Sequence, residues 1–285
     1  MGNKPQSLSV LAPEFFNLQV ERHTHPEKYR GYSTGFSYLD SLFGGWGHNW
    51  NVVIAAKSGK GKTTLLCTEV INFSLNSVSW LWCGLEEEEM EILERLYAAE
   101  AKVPRKFFRD IGLTDTEWDK VGTACDTISN WNAWVQYGAT DVAEIDTYVK
   151  ELKPQIVIVD YVQLLNGTPG HTMTQTVSES GKQLVRISKT HNVCTMIAAQ
   201  ENELGNVLWS QDIYRGAGVV LRIEDVLDSY QKPTPDRRKI AVSKSKYSGP
   251  GEFEAELNGD MGVFSRDKIY VKKDINQLAT EFEHN

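Results

Sequence analysis

The chain has 285 residues, of which 41% are hydrophobic, 10% aromatic and 24% charged; this is enough apolar material for a substantial core and excludes a disordered chain or a long multidomain machine. A formal net charge of -8 excludes a domain that coats nucleic acid through overall positive charge, and leaves open one that gathers its basic groups in a channel. No run approaches the roughly 18 consecutive apolar residues of a membrane-spanning helix, the first residues lack the order of a secretory signal, and Gln6 stands where an N-myristoylation motif has Ser or Thr. Cys67, Cys83, Cys125 and Cys194 are widely spaced and form no C-x-x-C, which reads as reduced packing residues in a soluble cytoplasmic protein.

In chain order, LSVLAPEFFNLQVER predicts a short amphipathic helix, and THPEKYRGYSTG a polar linker, so residues 1–30 read as an arm. From residue 31 to 266 the pattern alternates. The apolar run NVVIAA precedes a helix over 62–76, VSWLWC precedes a helix over about 88–102, and a further helical stretch leads into WNAWVQY. Asp141, with Glu144 in capping-box register, opens a helix before QIVIVD; a Gly- and Thr-rich loop, about Asn166 to Thr176, precedes the helix SESGKQLVRISKTHN and the strand VCTMIAAQ. VVLRIED, KIAVSKSK and EFEAELNG read as further strands, and residues 267–285 as a tail. Strands alternating with helices predict an α/β fold whose mostly parallel sheet is covered on both faces.

The segment from Ala56 through Lys57, Ser58, Gly59, Lys60, Gly61 and Lys62 to Thr63, followed by Thr64, lies between a strand and a helix. It fits G-x-x-x-x-G-K-[ST] except that Ala56 replaces the first Gly. Such a loop turns backbone N–H groups toward phosphate, Lys62 reaches the β and γ oxygens, and Thr63 offers a hydroxyl to magnesium. Lys57 and Lys60 either are solvated or add charge beside the phosphates. Asp160 ends an apolar strand, where a carboxylate can join the magnesium shell, through water. Hydrolysis also needs a group that orients or deprotonates water. Among Glu86, Glu87, Glu88 and Glu89, Glu86 sits nearest the strand end and is the expected base; Glu87 is the fallback, and Glu88 and Glu89 suit a helix start. Gln200, at the end of TMIAAQ, is placed to sense the γ-phosphate.

The order TGFSYLDSLFGG, AAKSGKGKTT, GLEEE, IVIVDYVQLL, AAQ and SKSKYSGPGEFEAEL resembles the RecA-type motor domain of DnaB-type hexameric replicative helicases, including those of bacteriophages, over residues 31–266. The resemblance implies a RecA-like P-loop NTPase core, ATP (or another NTP) with Mg2+ as cofactor, and 5′ to 3′ movement on single-stranded DNA by a six-membered homo-oligomeric ring during replication. It implies phosphate and magnesium roles for Lys62 and Thr63, the catalytic carboxylate for Glu86, the second magnesium-shell acid for Asp160 and coupling for Gln200. Where the family carries K-x-R, with the Arg inserted into the next subunit's site, this chain has Lys244 and Lys246, which keep the charge without the planar fork.

QDIYRGAGVVLRIED matches the family's DNA loop with one extra residue near Tyr214, which assigns Arg215, Gly216 and Gly218 to phosphate contact; the loop after Asp160 is the other pore candidate. Leu11, Phe15, Phe16 and Leu18 either dock on an adjacent subunit or pack on their own core. Primase, polymerase and a helicase loader are the expected protein partners. A RecA- or RadA-like recombinase and a nucleotide-controlled ring for DNA binding or loading remain the competing functions; the Lys-x-Lys-x-x-Gly-Pro pattern speaks for a helicase and Glu86 for an enzyme.

Overall fold

The computed structural model describes residues 5–138, 141–167, 170–202 and 211–270. Helix α1 spans Leu8–Thr24 and α2 Ser37–Phe43; β1 (Asn51–Ala56) leads to α3 (Lys62–Leu75), β2 (Trp80–Gly84) to α4 (Glu89–Ala101) and α5 (Asp115–Ser129), and β3 (Ala133–Tyr137) to α6 (Val142–Leu152). Then come β4 (Ile156–Asp160), α7 (Met173–His191), β5 (Cys194–Gln200), α8 (Gln211–Gly216), β6 (Val219–Leu227), β7 (Pro233–Ser245), β8 (Gly251–Asn258) and β9 (Val263–Tyr270). Among the described residues these strands form one sheet in the order β3-β2-β4-β5-β1-β6-β7-β8-β9. The run from β3 to β6 is parallel, and β7, β8 and β9 extend it antiparallel. The α/β fold with a mostly parallel, helix-covered sheet is thus the one the sequence predicts.

Both faces of the central strands are buried, which is why β1 and β4 are continuous apolar runs and not alternating ones. Side chains alternate across the sheet: Val52, Ile54 and Ala56 enter a layer with Leu65, Val70 and Phe73 of α3, whereas Val53 and Ala55 enter a second layer with Ile145 and Val149 of α6 and Leu184 and Ile187 of α7. A buried carboxyl group interrupts the first layer. Glu69 on α3 is fully buried, Trp46 Nε1 donates to its Oε2 at 2.6 Å, and burial pushes its carboxyl well above the ordinary range.

Several elements differ from expectation, α7, α1 and β9 among them. Helix α7 begins at Met173, inside the segment expected as a loop, because Thr172 and Gln175 form a reciprocal capping box. In α1, no residue is buried; at about 100° per residue, Leu8, Leu11, Phe15 and Leu18 share a stripe while Val10, Phe16 and Val20 point elsewhere, so the helix is apolar on several sides and not amphipathic. Phe15 and Phe16 are 63% and 67% exposed, so they do not pack on their own core. Finally, β9 carries the sheet through Tyr270, past the boundary expected at 266. No helix among the described residues is long and apolar enough to cross a membrane.

Candidate active site

β1 ends at Ala56 and α3 begins at Lys62. Between them Gly59 (φ 70°) and Gly61 (φ 104°) take left-handed conformations that favour glycine. A Cβ on Gly59 would meet nothing within 4 Å, so no neighbouring atom excludes a side chain there and the left-handed backbone is what favours glycine. Gly61 caps α3 with no side-chain oxygen, which leaves the first-turn N–H groups to an outside acceptor. Lys62 Nζ donates to the carbonyls of Ala56 and Lys57, at 3.2 Å each. Burial holds its pKa below the ordinary lysine value, opposed by the carboxylates of Asp160, Glu86 and Glu201.

The loop walls a cleft of about 270 Å³, which Glu86, Tyr161 and Gln200 close from the neighbouring strand ends. Size does not select this cleft, since one of about 490 Å³ lies beside Tyr32, Lys153 and Asn192; the convergence of a lysine, hydroxyls and carboxylates does. Thr63 Oγ1 donates to Asp160 Oδ2 at 2.8 Å. Asp160 Oδ1 is buried with no hydrogen-bond partner among the described residues, and burial raises the carboxyl to about 6. An orphaned carboxylate oxygen beside a threonine hydroxyl fits a magnesium ion completed by phosphate oxygens and water, and a cation there would reverse the upward shift. No cluster of three metal-binding side chains lies among the described residues.

The four glutamates after β2 divide by partner. Glu87 is bidentate to Arg95, with Nε at 2.7 Å from Oε2 and Nη2 on Oε1. Glu88 caps α4, and Glu89 Oε1 accepts from the Tyr137 N–H at 3.1 Å. Glu86 is exposed in the cleft and makes no hydrogen bond or ion pair among the described residues. Gln200 is held by its backbone, which exchanges bonds of 3.3 and 3.2 Å with the Gln163 amide. Ser58 and Thr64 line the cleft. Lys60 turns away from it, 2.6 Å from Asp225 on β6, so the structure does not place its charge beside the phosphates.

The second set of expected residues lies at the other edge of the sheet. Val52 of β1 pairs with Val219 of β6, and Gly218 N–H donates to the Asn51 carbonyl at 2.8 Å. Arg215, Gly216, Gly218, Lys244 and Lys246 therefore lie beside the amino end of β1, about 13 Å of strand from the phosphate loop. Arg215 to Gly216 end the short helix α8 and are not a loop. The Arg215 side chain is 75% exposed, 3.6 Å from Asp212. Lys244 Nζ donates to the carbonyls of Tyr214 and Arg215, the latter at 2.8 Å, and Lys246 Nζ to that of Gly216 at 3.3 Å. Burial, then repulsion from Lys246, lowers the Lys244 pKa. Gly218 is buried, and its carbonyl accepts from the Lys246 N–H. Its missing Cβ would sit 2.8 Å from the Tyr247 ring, which stacks on Trp50 at 3.6 Å. Gly218 is small to admit that ring, and both its backbone groups are committed, so it is not disposed to contact phosphate.

Sequence reasoning missed Arg95 and Tyr161 in the cleft, and Glu201, which lies 2.9 Å from Arg222. Their roles depend on partners distant in sequence; the one local clue, for Tyr161 and Glu201, is a polar residue directly after a strand end, and Arg95, within α4, has none.

A glycine loop joining strand to helix, opposite a strand-terminal aspartate in this sheet order, defines a RecA-like phosphate-loop nucleotide-binding domain. The model of the DnaB-like helicase C terminal domain matches residues 31–204, and the chain belongs to that family. It is 24% identical over 275 residues to the replicative DNA helicase DnaC of Bacillus subtilis, covering 90% of this chain and 58% of that protein. To the replicative DNA helicase DnaB of Mycoplasma genitalium it is 28% identical over 266 residues, covering 82% and 56%. The chain thus spans a little over half the length of these relatives. Among solved structures, an ATPase domain superposes with a TM-score of 0.80 at 20% identity, over 92% of this chain and 99% of that one. A structure described as a DnaB-like replicative helicase and its interactions with primase superposes with a TM-score of 0.79 at 20% identity, over 92% and 67%.

Proposed function

We propose that the chain is an ATP-driven helicase motor, moving 5′ to 3′ on single-stranded DNA in the cytoplasm as a six-membered ring during replication. The observation that carries this reading is the cleft in which Lys62, the Thr63–Asp160 pair and the unpartnered Glu86 converge. Lys62 holds the β and γ phosphate oxygens once it leaves the loop carbonyls. Thr63 and Asp160 hold Mg2+, the latter through water, and the ion supplies charge neutralisation at the phosphates. Glu86 orients the attacking water and accepts its proton. Gln200 registers the γ-phosphate at the end of β5.

Lys244 and Lys246 lie too far along the strands to serve their own cleft, which supports a role on a neighbouring subunit's nucleotide. Arg215 meets DNA phosphate by charge. The unburied apolar side chains of α1 dock on an adjacent subunit, and primase, polymerase or a loader completes the assembly.

The test is turnover and unwinding together. Wild-type chain should hydrolyse ATP faster with single-stranded DNA, and should open forked duplexes loaded on a 5′ tail but not a 3′ tail, with Lys62→Ala as the blank. ATP turnover without unwinding, accompanied by strand exchange on filaments, would replace the helicase with a recombinase.

A further inference from the structure

The nucleotide cleft and α8 lie at opposite ends of the same strands, and a continuous set of contacts joins them. Immediately after Gln200, the Glu201 N–H bonds the Ala56 carbonyl at 3.0 Å, tying the end of β5 to the start of the phosphate loop. The Glu201 carboxylate is buried, with Oε1 2.9 Å from Arg222 Nε; the N–H is not aligned on that oxygen, so the contact is an ion pair without a linear hydrogen bond. Arg222 lies on β6 opposite Ala55. By strand alternation it shares the sheet face of Val220, the face against which Tyr214 of α8 packs. The Arg222 guanidinium carbon lies 5.4 Å from the centroid of the Tyr214 ring.

From Tyr214 the contacts reach the basic strand. Its hydroxyl lies 3.2 Å from Ser243 Oγ, and its carbonyl accepts from Lys244 Nζ. Ser243 is the extra residue of a bulge, since Val220 pairs with Lys244 and Leu221 with Val242. The bulge puts Lys244, not Ser243, opposite Val220, and so turns the lysine onto the face where α8 lies.

Physical chemistry gives this path a direction. A buried carboxylate left without its cation is costly, so a displacement of the Gln200–Glu201 end of β5 drags the Arg222 guanidinium with it. That guanidinium holds the Tyr214 ring by a cation–π contact, and Tyr214 lies next to Arg215. We propose that Arg222 and Tyr214 are positioning residues that transmit the nucleotide state at the end of β5 to α8, and so set how strongly nucleotide changes affinity for single-stranded DNA. This rests on the reading that Gln200 faces nucleotide and α8 meets DNA.

The experiment measures the affinity of the full chain for a mixed-sequence single strand with and without a non-hydrolysable ATP analogue, beside DNA-free ATP turnover. Arg222→Gln and Tyr214→Leu should leave DNA-free turnover and nucleotide-free DNA affinity within about twofold, while the nucleotide-dependent change in DNA affinity shrinks about tenfold; by reciprocity, the effect of DNA on nucleotide affinity shrinks by the same factor. Tyr214→Phe, which keeps the ring, and Arg222→Lys, which keeps the charge, should restore part of that change and guard against misfolding. An unchanged ratio in folded Arg222→Gln and Tyr214→Leu, or an equal loss of DNA affinity with and without nucleotide, overturns the proposal. Wild-type chain that binds no single-stranded DNA in either state overturns the helicase reading itself, before any variant is compared.

Discussion

At the carboxyl edge of the parallel strands some polar groups are left without a partner among the described residues, whereas the lysines at the amino edge end on the chain itself. Asp160 Oδ1 has no partner among the described residues, Glu86 is uncommitted, and the first turn of α3 has no side-chain cap. Beside the start of β1, in contrast, Lys244 and Lys246 are spent on the carbonyls that end α8, and Gly218 is bonded on both sides. A buried polar group without a partner is costly unless something outside the chain completes it. The first edge is therefore preorganised for a ligand. The second is already satisfied, and its lysines act elsewhere only by exchanging helix carbonyls for a better acceptor.

The sharpest way to break this contrast is at the phosphate loop. Lys62→Ala should abolish nucleotide binding and lower turnover on the order of 10³-fold or more, as read by calorimetry and phosphate release. Glu86→Gln should instead keep nucleotide affinity within a few-fold and lose roughly 10² to 10⁴ in turnover, because it acts on water and not on phosphate. Normal turnover in that variant would move the base to Glu87, against the Arg95 fork that occupies it. At the amino edge the effects should be smaller. If the lysines complete a neighbour's site, turnover per subunit falls on dilution, and either Lys244→Ala or Lys246→Ala loses about tenfold at saturating protein. Rates independent of concentration and unaltered in both variants would confine these lysines to holding α8. Smallest is Arg215→Ala: single-strand affinity should fall a few-fold on every sequence, and the salt dependence should flatten by about 0.7 in slope, one phosphate contact's worth. Gly218→Ala sharpens the same edge, since it should lower thermal stability by about 1–3 kcal/mol through overpacking against Tyr247; weaker DNA binding at unchanged stability would return that glycine to the DNA path.

The two edges were not equally legible in the sequence. β1, β4 and β5 announce themselves because burial on both faces demands unbroken apolar runs, and the phosphate loop because few residue types can make its turn. Thr172 and Gln175 have the spacing of a capping box, but they lie within a Gly- and Thr-rich stretch whose composition suits a loop equally well. The amino edge was not open to the same treatment. The bulge at Ser243, which decides the face Lys244 occupies, is a property of the pairing with β6 and leaves no mark in KIAVSKSK. Nor does spacing show that Gly218 accommodates Tyr247, that Lys60 spends its charge on Asp225, or that Arg95 holds Glu87 in a bidentate pair. Each of these depends on a partner brought near only by the fold.

Glu69 contributes proton uptake to the folding of this domain. Its carboxyl, buried against Trp46 in the layer beneath the phosphate-loop helix, is driven toward the neutral form by burial, while in the unfolded chain it ionises near 4.5. Because the native state holds the proton more tightly, the stabilisation this group contributes is fully present below the unfolded value and is lost as pH rises through the native one. As pH rises above the ordinary carboxylate range, the helix that carries Lys62 and Thr63 thus loses the part of its support that this proton provides, and Trp46, whose indole N–H touches that carboxyl, is a fluorophore in position to report it.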